Sequence, residues 1–281
     1  MKYLVLGSAG QIGSSLTKYL RKSKHKVLEF DLEDSPEQDL RISDNPLLDK
    51  YLKQADFCFF LAFDVGGSRY LKKYQESYQF VSNNTKIMNN TFDLLKKHKR
   101  KFIFASSQMS NMSFSNYGRL KAVGEAYTQA LGGLVVKFWN VYGVEKDLNK
   151  AHVITDFILK AEKERQIDML TNGLEERQFL HADDCSRCLK KLSLKYDKIP
   201  RDQELHAKSF KWQSIIEVAT ITASHFEGTA IIPGKSVDDL QKAQRNEPDT
   251  NILEYWRPRI SLENGIGKVI KEMSQLDNKL E

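Results

Sequence analysis

Tyr3-Leu4-Val5-Leu6-Gly7-Ser8-Ala9-Gly10-Gln11-Ile12-Gly13, followed by an amphipathic stretch to Lys22, is the part of the chain that decides its fold. The apolar run reads as a buried strand, and the glycines directly after it open a helix, which is the setting of a dinucleotide phosphate turn. The first glycine makes the tight turn, the second lets backbone amides approach a pyrophosphate, and the third lets helix and strand pack closely. Gly7, Gly10, Gln11, Ile12 and Gly13 are therefore assigned to a cofactor whose phosphates meet the positive end of the helix. Asp31 ends the second apolar run. A carboxylate there accepts both hydroxyls of an adenosine ribose and repels a 2′-phosphate, so NAD is expected rather than NADP.

Outward from this turn, apolar runs at Tyr3–Leu6, Lys26–Phe30, Phe57–Ala62, Phe102–Ala105 and Leu134–Phe138 alternate with helical periodicity at Ile12–Lys22, Pro46–Lys53, Arg69–Lys97 and Tyr117–Leu131. Such alternation predicts an α/β protein built on a Rossmann-type doubly wound parallel sheet. After Gly143 come helices over Val153–Arg165 and Asp184–Leu194, a short strand over Arg177–His181 and a helix over Trp212–His225. A turn at Pro248-Asp249 and a final helix from Leu262 complete the pattern. We expect an NAD-binding domain over 1–145, to which later segments return, and a smaller substrate-binding α/β lobe over 146–281.

The chain has 281 residues and a formal net charge of +6, with basic and acidic groups interspersed, a mild pointer to an anionic ligand. The densest basic run, Lys96-Lys97-His98-Lys99-Arg100-Lys101, closes a helical pattern, where cations meet the negative helix end. No aromatic and basic stripe accompanies it, so no nucleic-acid partner is expected. Three cysteines make no disulfide framework, and a reducing, cytoplasmic setting follows. Cys185-Ser186-Arg187-Cys188 lacks a second pair and reads as two ordinary helix positions, so no metal is expected. Met1-Lys2 leads straight into a strand without a secretory signal, and no run reaches the roughly 18 apolar residues of a membrane span.

Ser106-Ser107 stand at the end of the fourth strand, where open α/β sheets place their ligands. Tyr117 and Lys121, four apart on the next helix, share a face. Tyr142 and Lys146 have the same spacing but fall in a loop after a strand. Ser107, Tyr117 and Lys121 beside a nicotinamide form an acid/base set: Lys121 and the positive ring lower the phenol pKa, and Ser107 holds the reacting oxygen.

With these residues in view, the chain resembles the extended short-chain dehydrogenase/reductases, the NAD-dependent epimerase/dehydratase family acting on nucleotide sugars. The likeness extends to Asp39-Leu40, to Leu61-Ala62-Phe63-Asp64-Val65-Gly66-Gly67, to Asn84, to Asn140-Val141-Tyr142-Gly143 and to the stretch from Arg177 to Asp184. Near the end it includes Trp256-Arg257-Pro258 and Ser261-Leu262-Glu263-Asn264-Gly265. The resemblance implies that Ser107, Tyr117 and Lys121 are catalytic. It adds Asp39, Leu40, Leu61, Ala62, Phe63 and Asn84 to the cofactor site, with Tyr117 and Lys121. It places Gly67, Ser107, Gln108, Asn140 and Arg177 at the nucleotide sugar, Arg177 on its diphosphate. Asp183 and Asp184 are expected to cap the following helix.

Two departures bear on the reaction. The 4,6-dehydratases of that family carry an Asp-Glu pair directly after the serine or threonine, whereas Gln108 and Met109 stand here and neither titrates. The interval from Ser107 to Tyr117 is also short for the family, which leaves the sugar pocket's wall undefined. The resemblance implies an NAD-dependent epimerase or oxidoreductase working on a nucleotide-diphosphate sugar through a transient keto sugar, in polysaccharide or glycoconjugate assembly. A keto-sugar nucleotide reductase using NAD(P)H and a non-catalytic dinucleotide-sensing regulator are the alternatives. A homodimer joined through Arg69–Lys97 and Tyr117–Leu131 is a further expectation of the resemblance.

Overall fold

The computed structural model describes residues 1–145, 147–238 and 249–277; Lys146 and Pro248 lie outside the described residues. Five strands in the first half, β1 (Lys2–Leu6), β2 (Lys26–Phe30), β3 (Phe57–Phe60), β4 (Lys101–Ser107) and β5 (Leu134–Phe138), pair in parallel. Between them run α1 (Gln11–Lys22), α2 (Pro46–Gln54), α3 (Ser68–Tyr74), α4 (Tyr78–His98) and α5 (Asn116–Ala130).

The second half contributes β6 (Asn140–Tyr142), α6 (Val153–Glu164), β7 (Gln166–Asp168), β8 (Glu176–Arg177), β9 (Phe179–His181), α7 (Ala182–Leu194), β10 (His206–Ala207), β11 (Gln213–Ser214), α8 (Ile215–Ala223), β12 (Ala230–Ile232) and α9 (Leu262–Asp277). β10 joins the main sheet at its edge, giving the parallel order β10-β5-β4-β3-β1-β2. The remaining short strands form two-stranded pairs, β11-β8, β12-β7 and β6-β9.

Alternation along each strand sends side chains to two cores, as a parallel sheet covered on both faces requires. Tyr3, Val5, Phe57, Phe59, Ile103 and Val136 meet α1 and α7 through Leu16, Leu20, Cys188, Leu189 and Leu192. Leu4, Leu6, Cys58, Phe60, Phe102 and Phe104 meet α2 and α4 through Leu48, Leu52, Met88, Phe92 and Leu95. A third core gathers Tyr142, Ile154, Phe157, Ile158, Phe179, Val218, Ile266 and Val269 from β6, α6, β9, α8 and α9.

Four expectations are corrected. The helix read over Arg69–Lys97 is two helices, because Ser77 takes up extended backbone and its Oγ accepts from Phe80 N at 3.2 Å, capping α4. The strand read over Arg177–His181 breaks at Gln178, since β8 pairs with β11 and β9 with β6. The helix read from Trp212 starts at Ile215, because Gln213-Ser214 pair with β8 and Ser214 caps α8. Tyr142 ends β6 rather than lying in a loop.

The basic run does close α4, where Lys97 and His98 pair with Asp49 and Lys101 with Asp197. Among the described residues no helix is long and apolar enough to cross a membrane.

Candidate active site

The carboxyl ends of the sheet strands open into one cleft of about 1710 Å³. At its floor Gly7 leaves β1 with φ +84°, and a Cβ there would lie 2.8 Å from Ala62 N. A Cβ on Gly13 would lie 1.9 Å from Gly7 O, so the helix can approach the strand only with glycine. Gly10 is the N-cap of α1 and supplies no side chain to cap it. The first amides of α1 are therefore free for phosphate oxygens, and the turn fits a dinucleotide. Ile12 lines the cleft, and the Gln11 side-chain amide bridges to β6 and its exit, donating to Val141 O at 3.1 Å and accepting from Gly143 N at 3.2 Å.

Asp31 sits beside the turn, its carboxylate accepting from Ala9 N at 2.9 Å and from Glu33 N at 3.1 Å. Farther along, Asp39 holds Arg41 through both oxygens, at 2.7 to 3.0 Å, and this pairing keeps the Asp39 carboxyl below its ordinary pKa. Leu40, Leu61, Ala62 and Phe63 line the same cleft. Asn84 does not. It is fully buried within α4, where its Oδ1 accepts from Asp64 N at 2.7 Å and its Nδ2 donates to Asp64 O and Phe80 O. Its amide clamps the loop after β3 from behind, and the neighbouring Asn83 is the residue that reaches the cleft.

Ser107, Tyr117 and Lys121 come together on the cleft wall. Ser107 closes β4 and accepts from Met109 N at 3.1 Å, which fixes its hydroxyl. Burial pushes the Tyr117 phenol up to about 12, and a hydrogen bond with Ser107 works the other way. Burial lowers Lys121 to about 7 against the opposing charge of Glu125. The Lys121 ammonium donates to Ala105 O at 2.7 Å and lies 3.7 Å over the Phe63 ring, which in turn meets Tyr117 edge-on. Lys121 Nζ also lies 5.8 Å from the Tyr117 ring centroid, and burial rather than the lysine charge sets the phenol here.

Of the residues expected at substrate, Gly67, Gln108, Asn140 and Arg177 all line the cleft. Asn140 Oδ1 is buried without a hydrogen-bond partner. Arg177 pairs with Asp238 and donates to Glu176 O at 2.7 Å, so its guanidinium is held rather than free. The capping expectation for Asp183 and Asp184 fails: His181 Nδ1 caps α7, accepting from Asp183 N at 3.1 Å. Asp183 instead pairs with Lys268, and the buried Asp184 accepts from Arg259 N and Ile260 N at 2.6 and 2.8 Å.

Sequence reasoning missed Asp64, Tyr70, Trp139, Glu145, His152 and Phe179, which also line the cleft. Asp64 had a signal, its place inside the quoted run after β3. Phe179 likewise falls in the stretch from Arg177 to Asp184, Tyr70 sits on α3, and Trp139, Glu145 and His152 lie in connecting segments whose spacing carries no periodicity.

A glycine turn at the switch point of a doubly wound sheet, with serine, tyrosine and lysine on the wall of the same cleft, defines an α/β protein of dinucleotide-dependent type. The family model of the NAD dependent epimerase/dehydratase family matches residues 3–206, and the chain belongs to that family. Its cofactor is accordingly NAD. No curated protein sequence matches the chain significantly.

Solved structures share its fold at low identity. UDP-glucose 4-epimerase from Thermotoga maritima, determined with UDP-glucose, superposes with a TM-score of 0.81 at 18% identity, covering 98% of this chain and 99% of that one. UDP-N-acetylglucosamine 4-epimerase from Methanobrevibacter ruminantium M1, in complex with UDP-N-acetylmuramic acid, gives 0.79 at 20%, covering 98% of each. The Bordetella bronchiseptica enzyme WbmF with NADH gives 0.79 at 21%, covering 99% and 93%.

Proposed function

We propose that the chain is an epimerase or oxidoreductase acting on a nucleotide-diphosphate sugar through a transient keto sugar. The observation that carries this reading is the convergence of Ser107, Tyr117 and Lys121 on the cleft that also holds the glycine turn. Held by the Gly7–Gly13 turn and Asp31, NAD would supply hydride acceptance from the sugar carbon and its return. With the positive nicotinamide ring of bound NAD lowering its phenol pKa, Tyr117 would take the hydroxyl proton as that carbon is oxidised and give it back on reduction. Ser107 steadies the same oxygen, and Lys121 sits behind both. Asn140 and Arg177 are proposed to hold the nucleotide sugar, Arg177 exchanging Asp238 for phosphate oxygens. Reduction from the opposite face would give the epimer, whereas release of the keto product would make the site that of a dehydrogenase.

Loss of water across C4 and C6 is disfavoured because Gln108 and Met109 supply no acid or base. The three free, buried cysteines agree with a reducing compartment. A homodimer through α4 and α5 is part of the proposal, and a monomeric mass in light scattering removes that part.

Screening uridine-, guanosine-, thymidine- and cytidine-diphosphate sugars for a changed product tests the activity. One sugar should turn over in the wild type and at least about a hundredfold more slowly in Tyr117→Phe, which keeps NAD binding. Equal turnover by both proteins refutes the catalytic assignment.

A further inference from the structure

Behind the cleft wall, where β4 and β5 run side by side, the sheet carries charges in its interior. Ser106 and Lys137 are partners across the two strands, and the Lys137 side chain is only 2% exposed. Its ammonium group faces three oxygens, Glu204 Oε1 at 2.6 Å, Asn111 Oδ1 at 3.1 Å and Glu125 Oε2 at 3.5 Å. An ammonium group has three N–H donors, so the buried cation is compensated on every side.

Two of these oxygens come from segments that shape the site. Asn111 ends the short helical turn Gln108–Asn111 that follows Ser107, inside the interval to Tyr117. Glu125 stands on α5 one turn after Lys121 and two turns after Tyr117, on the same helix face. Its other oxygen, Oε1, accepts from Ser106 Oγ, while Lys121 donates to Ala105 O at 2.7 Å. Successive turns of α5 thus grip successive residues of β4, and Ser107 is the next residue along. Glu204 closes the cluster on its outer side. Trp139 Nε1 donates to His206 Nδ1 at 3.1 Å, which leaves the His206 Nε2 proton for Glu204 Oε2 at 2.8 Å.

Stability alone gives little reason for such a cluster, because apolar groups of similar size in place of a buried ion pair are often neutral or favourable. Geometry gives one: a misplacement of about 1 Å at a reacting group can slow a reaction about a hundredfold. Neither Glu125 nor Lys137 is among the described residues that line the cleft, so an effect of either on the chemistry passes through the groups they hold. The Glu125 charge also opposes the burial that lowers Lys121.

We propose that Glu125, anchored by Lys137, is a positioning residue that locks the end of β4 to α5 and so presents Ser107 and Lys121 at the reacting oxygen. This inference rests on the nucleotide-sugar reading above. Glu125→Gln keeps the side-chain volume and an oxygen for Ser106 but gives up the charge that ties it to Lys137. Lys137 retains Glu204 in that variant, so its own charge stays compensated. Ser106→Ala breaks the same contact from the strand side and removes no charge.

The test uses the full chain with saturating NAD and the uridine-, guanosine-, thymidine- or cytidine-diphosphate sugar that the wild type turns over. Glu125→Gln should lower kcat about tenfold and Ser106→Ala about threefold, with KM for the sugar and calorimetric NAD affinity within about twofold of wild type. The double variant should be no slower than Glu125→Gln alone, since both changes break one contact. Lys137→Gln should be as slow as Glu125→Gln, and Lys137→Arg, which keeps the anchoring cation, should bring kcat back to within about threefold of wild type. Glu204→Gln takes a half-exposed carboxylate from the outer side of the same lysine and should leave kcat within about twofold.

Wild-type kcat in Glu125→Gln and Ser106→Ala, with Tyr117→Phe slow, overturns the inference and leaves the nucleotide-sugar reading standing. A loss that falls equally on KM and NAD affinity, the mark of general loosening, does the same. If Glu125→Gln does not fold, Ser106→Ala decides by itself. A wild type that turns over none of the sugars, or no faster than Tyr117→Phe, removes that reading and the inference with it.

Discussion

Lys121 shows how a catalytic position is held at a cost to folding. Burial lowers its pKa from 10.5 to about 7, so between those values the unfolded chain binds more protons than the folded one. Stability then rises with pH across that window, the sign expected of a base whose folded pKa is depressed. Lys121→Met removes the buried charge. In the cofactor-free protein it should raise the melting temperature at pH 7, a gain on the order of a few kcal/mol, and the gain should shrink toward pH 10. Thermal melts across pH check this, and a variant no more stable than wild type at neutral pH contradicts it. The residue's helix face was legible from its four-residue spacing to Tyr117. Its lodging against Ala105 O and the Phe63 ring was not, since those partners come from β4 and from the loop after β3. Asp183 and Asp184 taught the converse: two good capping residues were visible, yet the chain's path into α7 gave the cap to His181 and left Asp184 to anchor Arg259 and Ile260.

At the scale of elements, the break between α3 and α4 has a purpose for the site. Gln75, buried in the gap, accepts from Ser115 Oγ at 2.9 Å and from Tyr117 N at 3.5 Å, so the interruption ties the start of α5 in place. Ser77→Ala should cost about 1 kcal/mol in chemical denaturation through the lost cap. An unchanged midpoint shows that α4 starts without it. Gly13→Ala should cost NAD affinity and stability together, because a methyl group at that point collides with Gly7 O; calorimetry with NAD reads the first and melting the second. The order of strands and helices in the first half was legible because each strand is a continuous apolar run between turn signals. A strand over Arg177–His181 was legible, but its break into β8 and β9 and the strand β11 were not, since their pairing is set by contacts between distant segments rather than by local pattern.

For the whole molecule, α9 returns to the site from the far end of the described chain. A Cβ on Gly265 would lie 1.8 Å from Tyr142 Oη, at the end of the strand that begins with Asn140. Alanine in a helix normally adds about 1 kcal/mol over glycine, but here overpacking should reverse the sign and cost roughly 1–3 kcal/mol. It should weaken nucleotide-sugar binding more than NAD binding, and comparison of the two affinities decides. Both the two-body division near residue 145 and the return of later segments were drawn from changes in texture. The structure adds particulars that texture could not give: Leu189, Leu192, Leu205, Ala207 and Trp256 belong to the same core as Tyr3 and Val5.

The two-residue strand at His206-Ala207 has a consequence for biosynthesis. As the polypeptide leaves the ribosome, β5 is complete some seventy residues before its outer neighbour exists, and throughout that interval its backbone amides and carbonyls face outward unsatisfied. A nascent chain stalled or clipped in this interval would offer a ready template for another copy, so truncated products should precipitate rather than accumulate as a minimal dinucleotide binder.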